Sequence, residues 1–145
     1  MRNSSGDAVL IQTETGAVAR LVLNRPGSGN SLSAALIAAL RAALADLEAR
    51  REIKVIIVSG GGGRVFCAGH DLSEFALGNS DHDFSDLTSL MKAIMVQRQI
   101  VIAKVEGIAT AAGCELVAAC DLALASTRAR FAVPGINIGF WCHSP

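Results

Sequence analysis

Residues 107–121, GIATAAGCELVAACD, bring together two ingredients of proton-transfer chemistry. A run of small residues leads straight into a predicted helix, 111–119, that carries one acid, Glu115, among apolar neighbours. The first amides of a helix have no intrahelical acceptor, and the helix dipole makes that end positive. Such N–H groups suit an oxygen that gains negative charge during a reaction. A glutamate beside them can move the proton that produces the charge. Desolvation on an apolar helix would raise the glutamate's pKa, which suits proton transfer near neutral pH. On these residues alone, a structural acid paired with an arginine or bonded to a helix end has equal weight.

Other reactive residue types have plainer readings. Cys114 adjoins Glu115 but has no histidine near in sequence to activate it, so it reads as a small buried residue. Cys67, Cys114, Cys120 and Cys142 form no CxxC pair, which argues against zinc. They read as reduced core residues of a soluble, cytoplasmic protein. Residues 60–63 are four glycines, but neither GxxxxGK[ST] nor a GxGxxG opening a helix is present. A flexible connector is the expectation there. Asp71 reads as the N-cap of a short helix at 71–76, and His82 and His143 as surface residues.

The elements that must hold these residues follow from periodicity. Segments 9–13 and 17–23 read as two strands around a Thr-Gly turn. Leu36, Leu40, Leu44 and Leu47 recur at helical spacing in 33–50, with Ser31 or Ser33 able to cap the start. The apolar run 53–58, IKVIIV, suits a strand buried on both faces. Segment 78–86 is polar and reads as a loop, 87–99 as a helix, and 100–105, 122–125 and 130–133 as strands. Strands alternating with helices predict an α/β layer fold with largely parallel pairing. Phe140 and Trp141 lie near the last residue, Pro145, in an apolar tail that needs a packing partner. Either it packs locally or the chain is part of a longer protein.

Bulk composition excludes several classes. The chain has 145 residues, enough for one domain with a real core, and 51% are hydrophobic against 18% charged. Thirteen basic and thirteen acidic residues balance without a cluster, so no nucleic-acid or polybasic membrane footprint is expected. Aromatics are 4% and tyrosine is absent, which leaves few platforms for stacking bases. The N-terminal MRNSSGDAV lacks an apolar signal core, and no apolar run is long enough to span a bilayer.

Three segments in order resemble the crotonase, or enoyl-CoA hydratase/isomerase, superfamily: LNRPGSGNSLS at 23–33, FCAGHDLSEF at 66–75 and GIATAAGCELVAACDLALAS at 107–126. Within it, ATAAGCELVAACD together with FAVPGINIGFWCHSP is most similar to the enoyl-CoA hydratase domain-containing protein 3 subgroup. The resemblance runs from about residue 9 onward and implies a crotonase-like (ClpP/crotonase) ββα superhelix core over 1–145. The C-terminal helices that build the family's trimer have no counterpart.

The resemblance also implies roles. The backbone N–H groups of His70 and Ala112 would form an oxyanion hole for a thioester enolate, with Glu115 as acid/base. Ala68, Gly69, His70, Asp71 and Leu72, with Gly113, Pro134 and Gly135, would line the acyl-CoA site. The His70 imidazole would line the pocket while its amide works. Arg25 would meet a CoA phosphate or sit in solvent, with equal weight. Coenzyme A would enter only as part of the substrate, with no metal or redox cofactor, and a full-length relative would be a homo-oligomer, a trimer or hexamer.

Two positions depart from the family pattern. The family's second glutamate follows a proline, and here that position is Gly135 after Pro134. The family often has Gly-Gly-Gly before Cys-Glu, where this chain has Ala111-Ala112-Gly113. Alanine at the donor position is tolerable only at negative φ, so an altered turn or a narrower acyl slot is implied. The readings left open are a hydratase, an isomerase, or a CoA-thioester binder with weak or no catalysis.

Overall fold

The chain opens with a hairpin of β1 (Leu10–Thr15) and β2 (Val18–Leu23), paired antiparallel with Leu10 opposite Leu23. Gly16 turns it at φ +58°, where a side chain would be strained. A computed structural model describes residues 10–77 and 85–139. Val9, the polar stretch 78–84 with His82, and the tail holding Phe140, Trp141, Cys142 and His143 lie outside the described residues.

Helix α1 (Ala34–Ala49) follows, capped by Ser33, whose Oγ accepts from Leu36 N at 3.2 Å. Its buried face carries Leu36, Leu40, Leu44 and Leu47, as their spacing predicts. Each such leucine stabilises the fold by about 1.5–3 kcal/mol. The remaining strands are β3 (Val55–Gly60), β4 (Val65–Cys67), β5 (Ile100–Val105), β6 (Ile108–Thr110), β7 (Leu122–Ala125) and β8 (Arg130–Ala132). The other helices are α2 (Ser85–Met95) and α3 (Ala112–Ala119).

The strands form two sheets. The larger has the order β1-β2-β3-β5-β7, and only β1·β2 is antiparallel. Rows of small and branched residues cross it in register: Ala19, Ile56 and Val101 form one, Leu21, Val58 and Ala103 the next. All six are buried and join the α1 leucines in one core cluster. Ile57 and Val55, on the opposite face of β3, are only half-buried, so the expectation of burial on both faces holds for one face alone. The smaller sheet is parallel throughout, with order β4-β6-β8.

Helix α2 stops at Met95 rather than running to residue 99. The reason lies in α1, whose C-terminal half offers carbonyls to residues 97–99. Gln97 Nε2 donates to Leu44 O at 3.1 Å, Gln99 Nε2 donates to Leu47 O, and Arg98 Nη2 donates to Glu48 O at 3.2 Å. These residues leave the helix to cap its neighbour.

The glycine run is not a flexible connector. A Cβ on Gly60 would lie 2.5 Å from Phe66 O, and one on Gly61 would lie 2.9 Å from Leu23 O. The run is a tight turn folded against the strands it joins, with Gly62 at φ +81° and Gly63 at φ +69°.

Candidate active site

Parallel pairing in the small sheet decides where the predicted site residues meet. Cys67 ends β4 opposite Ala109 in β6, and Thr110 ends β6 opposite Ala132 in β8. The three loops that follow, 68–71, 111–112 and 133–135, therefore emerge at one rim. The carboxyl ends of parallel strands are the usual place for a ligand in α/β folds.

The first loop is held edge-on. Leu32 N donates to Gly69 O at 2.7 Å, and Asp71 N donates to Leu32 O at 3.2 Å. This is a parallel bridge between Leu32 and His70. A trans peptide points its C=O and N–H in opposite directions. Since Gly69 O faces Leu32, the N–H of the same peptide unit, that of His70, is aimed away from Leu32. Both ring nitrogens of His70 are shielded from solvent.

On its other side the loop lies against the second one. A Cβ built on Gly69, which has φ +96°, would sit 3.0 Å from Thr110 O, 3.1 Å from Ala111 Cβ and 3.3 Å from Ala112 N. Glycine there lets the two loops touch. Thr110 Oγ1 donates to Ala68 O at 3.0 Å and ties them further. Ala112 is the first residue of α3, so its amide has no carbonyl one helical turn back. Gly113 is forced by packing, since a Cβ would come 2.2 Å from Cys67 O.

Ala111 absorbs the missing glycine. It stands at φ +49°, ψ −122°, while Ala112 is already helical. The positive φ thus falls one residue before the expected donor, which keeps alanine tolerable at position 112. Ala111 N donates to Ala132 O at 2.9 Å, and Ala111 O accepts from Cys114 N at 2.8 Å and Glu115 N at 3.3 Å.

Glu115 follows in the first turn of α3 and is half-buried rather than enclosed. Pro134 opens a short 3-10 helix, Pro134–Ile138, directly after β8, which brings Gly135 to the same rim without a side chain. Leu72 is 54% exposed and Ala68 is exposed at this rim. Cys114 is a structural thiol that donates to Ala109 O at 3.1 Å. Burial pushes the Cys67 and Cys120 thiols up to about 12, so neither is a nucleophile at neutral pH.

Arg25 is tied into the protein rather than left in solvent. Its Nη2 is 2.7 Å from Asp71 Oδ2, and its Nη1 donates to Ser31 O at 2.7 Å and Ser31 Oγ at 3.0 Å. Asp71 does cap the 3-10 helix Leu72–Leu77, its Oδ1 accepting from Ser73 N at 3.1 Å and Ser73 Oγ at 2.7 Å. These bonds hold its carboxyl down to about 2, the Ser73 hydroxyl foremost and Arg25 next, against burial that pushes it up.

Sequence reading passed over Asn30, which is fully buried at φ +53°. Its Oδ1 accepts from Arg25 N at 2.9 Å, and its Nδ2 donates to Gly61 O at 2.9 Å and Val65 O at 2.7 Å. It joins the loop before α1 to the glycine turn and β4. An asparagine between glycine and serine after Arg-Pro was the available signal, because asparagine tolerates positive φ.

The sequence profile of the family described as enoyl-CoA hydratase/isomerase matches residues 13–144. The chain belongs to that family. Enoyl-CoA hydratase domain-containing protein 3, mitochondrial, of Danio rerio is 39% identical over 153 residues, covering 100% of this chain and 52% of that protein. The crystal structure of an enoyl-CoA hydratase from Mycobacterium smegmatis superposes with a TM-score of 0.89 at 44% identity, over 93% of this chain and 54% of that one. Human enoyl coenzyme A hydratase domain-containing protein 3 superposes with a TM-score of 0.87 at 37% identity, over 93% and 55%. The chain thus spans about half the length of the relatives it matches. The ββα core with its two sheets is the family fold.

Proposed function

We propose that the protein acts on an unsaturated acyl-CoA thioester as an enoyl-CoA hydratase/isomerase. The amides of His70 and Ala112 hold the thioester oxygen, and Glu115 moves the proton. The observation that carries this reading is the contact between the two loops at one rim, with Gly69 against Thr110 O and Ala112 N. Glu115 lies three residues beyond the second amide. In the isomerase direction the Glu115 carboxylate takes a proton from the carbon next to the thioester carbonyl. The electron pair of that C–H bond passes into a dienolate whose negative charge rests on the thioester oxygen, against both N–H groups. The same carboxyl returns the proton at the far end of the former double bond, which shifts it into conjugation. One acid suffices for that sequence. Adding water to a double bond is most simply done by two carboxyl groups holding the water, and position 135 is glycine.

Replacing Glu115 by Gln tests the reading. Turnover of crotonyl-CoA hydration and of 3-enoyl-CoA isomerisation should fall by about 10²–10⁴-fold, the ordinary contribution of a positioned acid/base. Unchanged turnover of an active wild type would remove Glu115 from the mechanism. Gly135 favours a second reading, a CoA-thioester binder with little catalysis. Tight binding of a substrate analogue by a wild type that turns over neither substrate supports that one. A homo-oligomer, trimer or hexamer, and a cytoplasmic location complete the proposal. Apolar side chains on the outer strands support the first, with Leu124 63% and Phe131 51% exposed. The thiols of Cys67 and Cys120, outside any disulfide, support the second.

A further inference from the structure

We infer that Arg25 and Asp71 form an ionic latch that positions the His70 amide by clamping the loop before α1 to loop 68–71. The inference rests on the proposed oxyanion role of that amide. The direction of the His70 N–H is set by the Gly69–His70 peptide plane, and that plane is fixed by the bond from Leu32 N to Gly69 O at 2.7 Å. Leu32 is therefore the strut against which the donor is aimed. A strut works only if it is immobile relative to the loop it supports.

Arg25 supplies that rigidity from both its backbone and its side chain. Its carbonyl accepts from Ser28 N at 3.0 Å and Asn30 N at 2.9 Å, and its amide donates to Asn30 Oδ1 at 2.9 Å. Its guanidinium then spans from Ser31, the residue before the strut, to Asp71, the residue after the donor. The pair is desolvated, with side-chain exposures of 21% and 10%. On the far side Asp71 is held by Ser73, and Ala34 N donates to Glu74 Oε2 at 3.0 Å. His70 thus sits in a short closed circuit: Leu32, Gly69, His70, Asp71, Arg25, Ser31. The planar fork of arginine holds a carboxylate and a backbone carbonyl in fixed directions, whereas a lysine ammonium on its flexible stem fixes neither direction.

These are positioning residues, so the test needs a readout that simple destabilisation leaves alone. Acetoacetyl-CoA is such a probe. Its β-keto thioester ionises to an enolate with its own near-ultraviolet absorption, and oxyanion donors raise the bound enolate fraction. Arg25→Ala and Asp71→Asn should lower that fraction about tenfold or more, approaching the roughly 10²-fold cost of displacing a catalytic group by an ångström. Binding of butyryl-CoA, which does not enolise, should change much less, and Arg25→Lys should fall between wild type and Arg25→Ala. Asp71→Asn keeps the acceptor for Ser73 and so isolates the latch from the cap. Arg41→Ala, which breaks an exposed ion pair with Asp86, is the control that leaves the fraction unchanged.

In ¹⁵N-edited spectra of the 145-residue protein, Arg25→Ala should move the His70 amide resonance and leave that of Leu90 in place. A folded Arg25→Ala protein with a wild-type enolate fraction and an unshifted His70 amide overturns the latch. A wild type that binds acetoacetyl-CoA without enolising it overturns the oxyanion reading instead. The His70 resonance then decides the latch on its own, and an unmoved resonance rejects it.

Discussion

Replacing Ala111, the residue that caps the start of α3, by Gly should stabilise the protein, although glycine inside a helix does the opposite. Ala111 stands at φ +49°, ψ −122°. A non-glycine residue held in such a region costs about 1–3 kcal/mol, which glycine does not incur. The conformation is imposed from both directions by the bond from Ala111 N to Ala132 O and by the bonds Ala111 O accepts from Cys114 and Glu115. The variant has no reason to relax into another turn.

Two losses oppose the relief. Glycine returns about 0.4–1 kcal/mol of freedom to the unfolded chain. The half-buried methyl that packs at Gly69 is worth about 0.4 kcal/mol, half the value of a fully buried carbon. Mid-range values leave a gain of about 1 kcal/mol, or a rise of about 4 °C in Tm for a chain of this size. Urea unfolding monitored by circular dichroism reads it, provided the m-value is unchanged. Ala112 keeps its place at the helix start, so the bound acetoacetyl-CoA enolate should persist. A loss of 1 kcal/mol or more at equal m would refute the reasoning, because the methyl contact would then outweigh the backbone strain.

Asp71 gives the fold an acid-sensitive component. Its carboxyl is held at about 2 against an ordinary 3.8, so its contribution is complete above about pH 4 and is lost as pH falls towards 2. A depression of that size corresponds to about 2 kcal/mol. Asp71→Asn, which keeps the acceptor for Ser73 but loses the ion pair with Arg25, should therefore be less stable than wild type at pH 7 by up to about 2 kcal/mol, with the gap closing between pH 4 and 2. A gap that stays constant in urea titrations across that window would show that the carboxylate is not what is being lost. Analytical ultracentrifugation should find a species heavier than the monomer, because Leu122, Leu124, Phe131, Val133 and Ile136 are all more than half exposed. Purely monomeric sedimentation at every concentration would refute it.

What was legible in the sequence was whatever a local pattern encodes. The leucine spacing placed α1, and the ordered motifs pointed to the loops that meet at one rim. The short strand β6 was hidden because Ile108–Thr110 is three residues long and is flanked by glycine and small residues, which read as loop. The end of α2 was hidden because Gln97, Arg98 and Gln99 are good helix formers, and only bonds to carbonyls of α1, some fifty residues away in sequence, draw them away. The Arg25–Asp71 pair was invisible for a related reason. Forty-odd residues separate them, and neither residue type signals a partner at that distance.

The same limit shaped the reading of the glycines. A run of four suggests freedom, yet Gly60 is the residue that lets β3 turn back onto Phe66, where a side chain would collide with a carbonyl. Asn30 then fastens that turn to the loop before α1. The chain of supports runs from the glycine turn through Asn30 to Arg25, and from Arg25 through Asp71 to the His70 amide. The second donor is supported differently, by a strained alanine bonded to β8. The two donors thus depend on different parts of the sequence, one on LNRPGSGNS and one on the strand before Pro134. With glycine at position 135, the two amides are the fixed half of the proposed site, and Glu115 is the group proposed to move a proton.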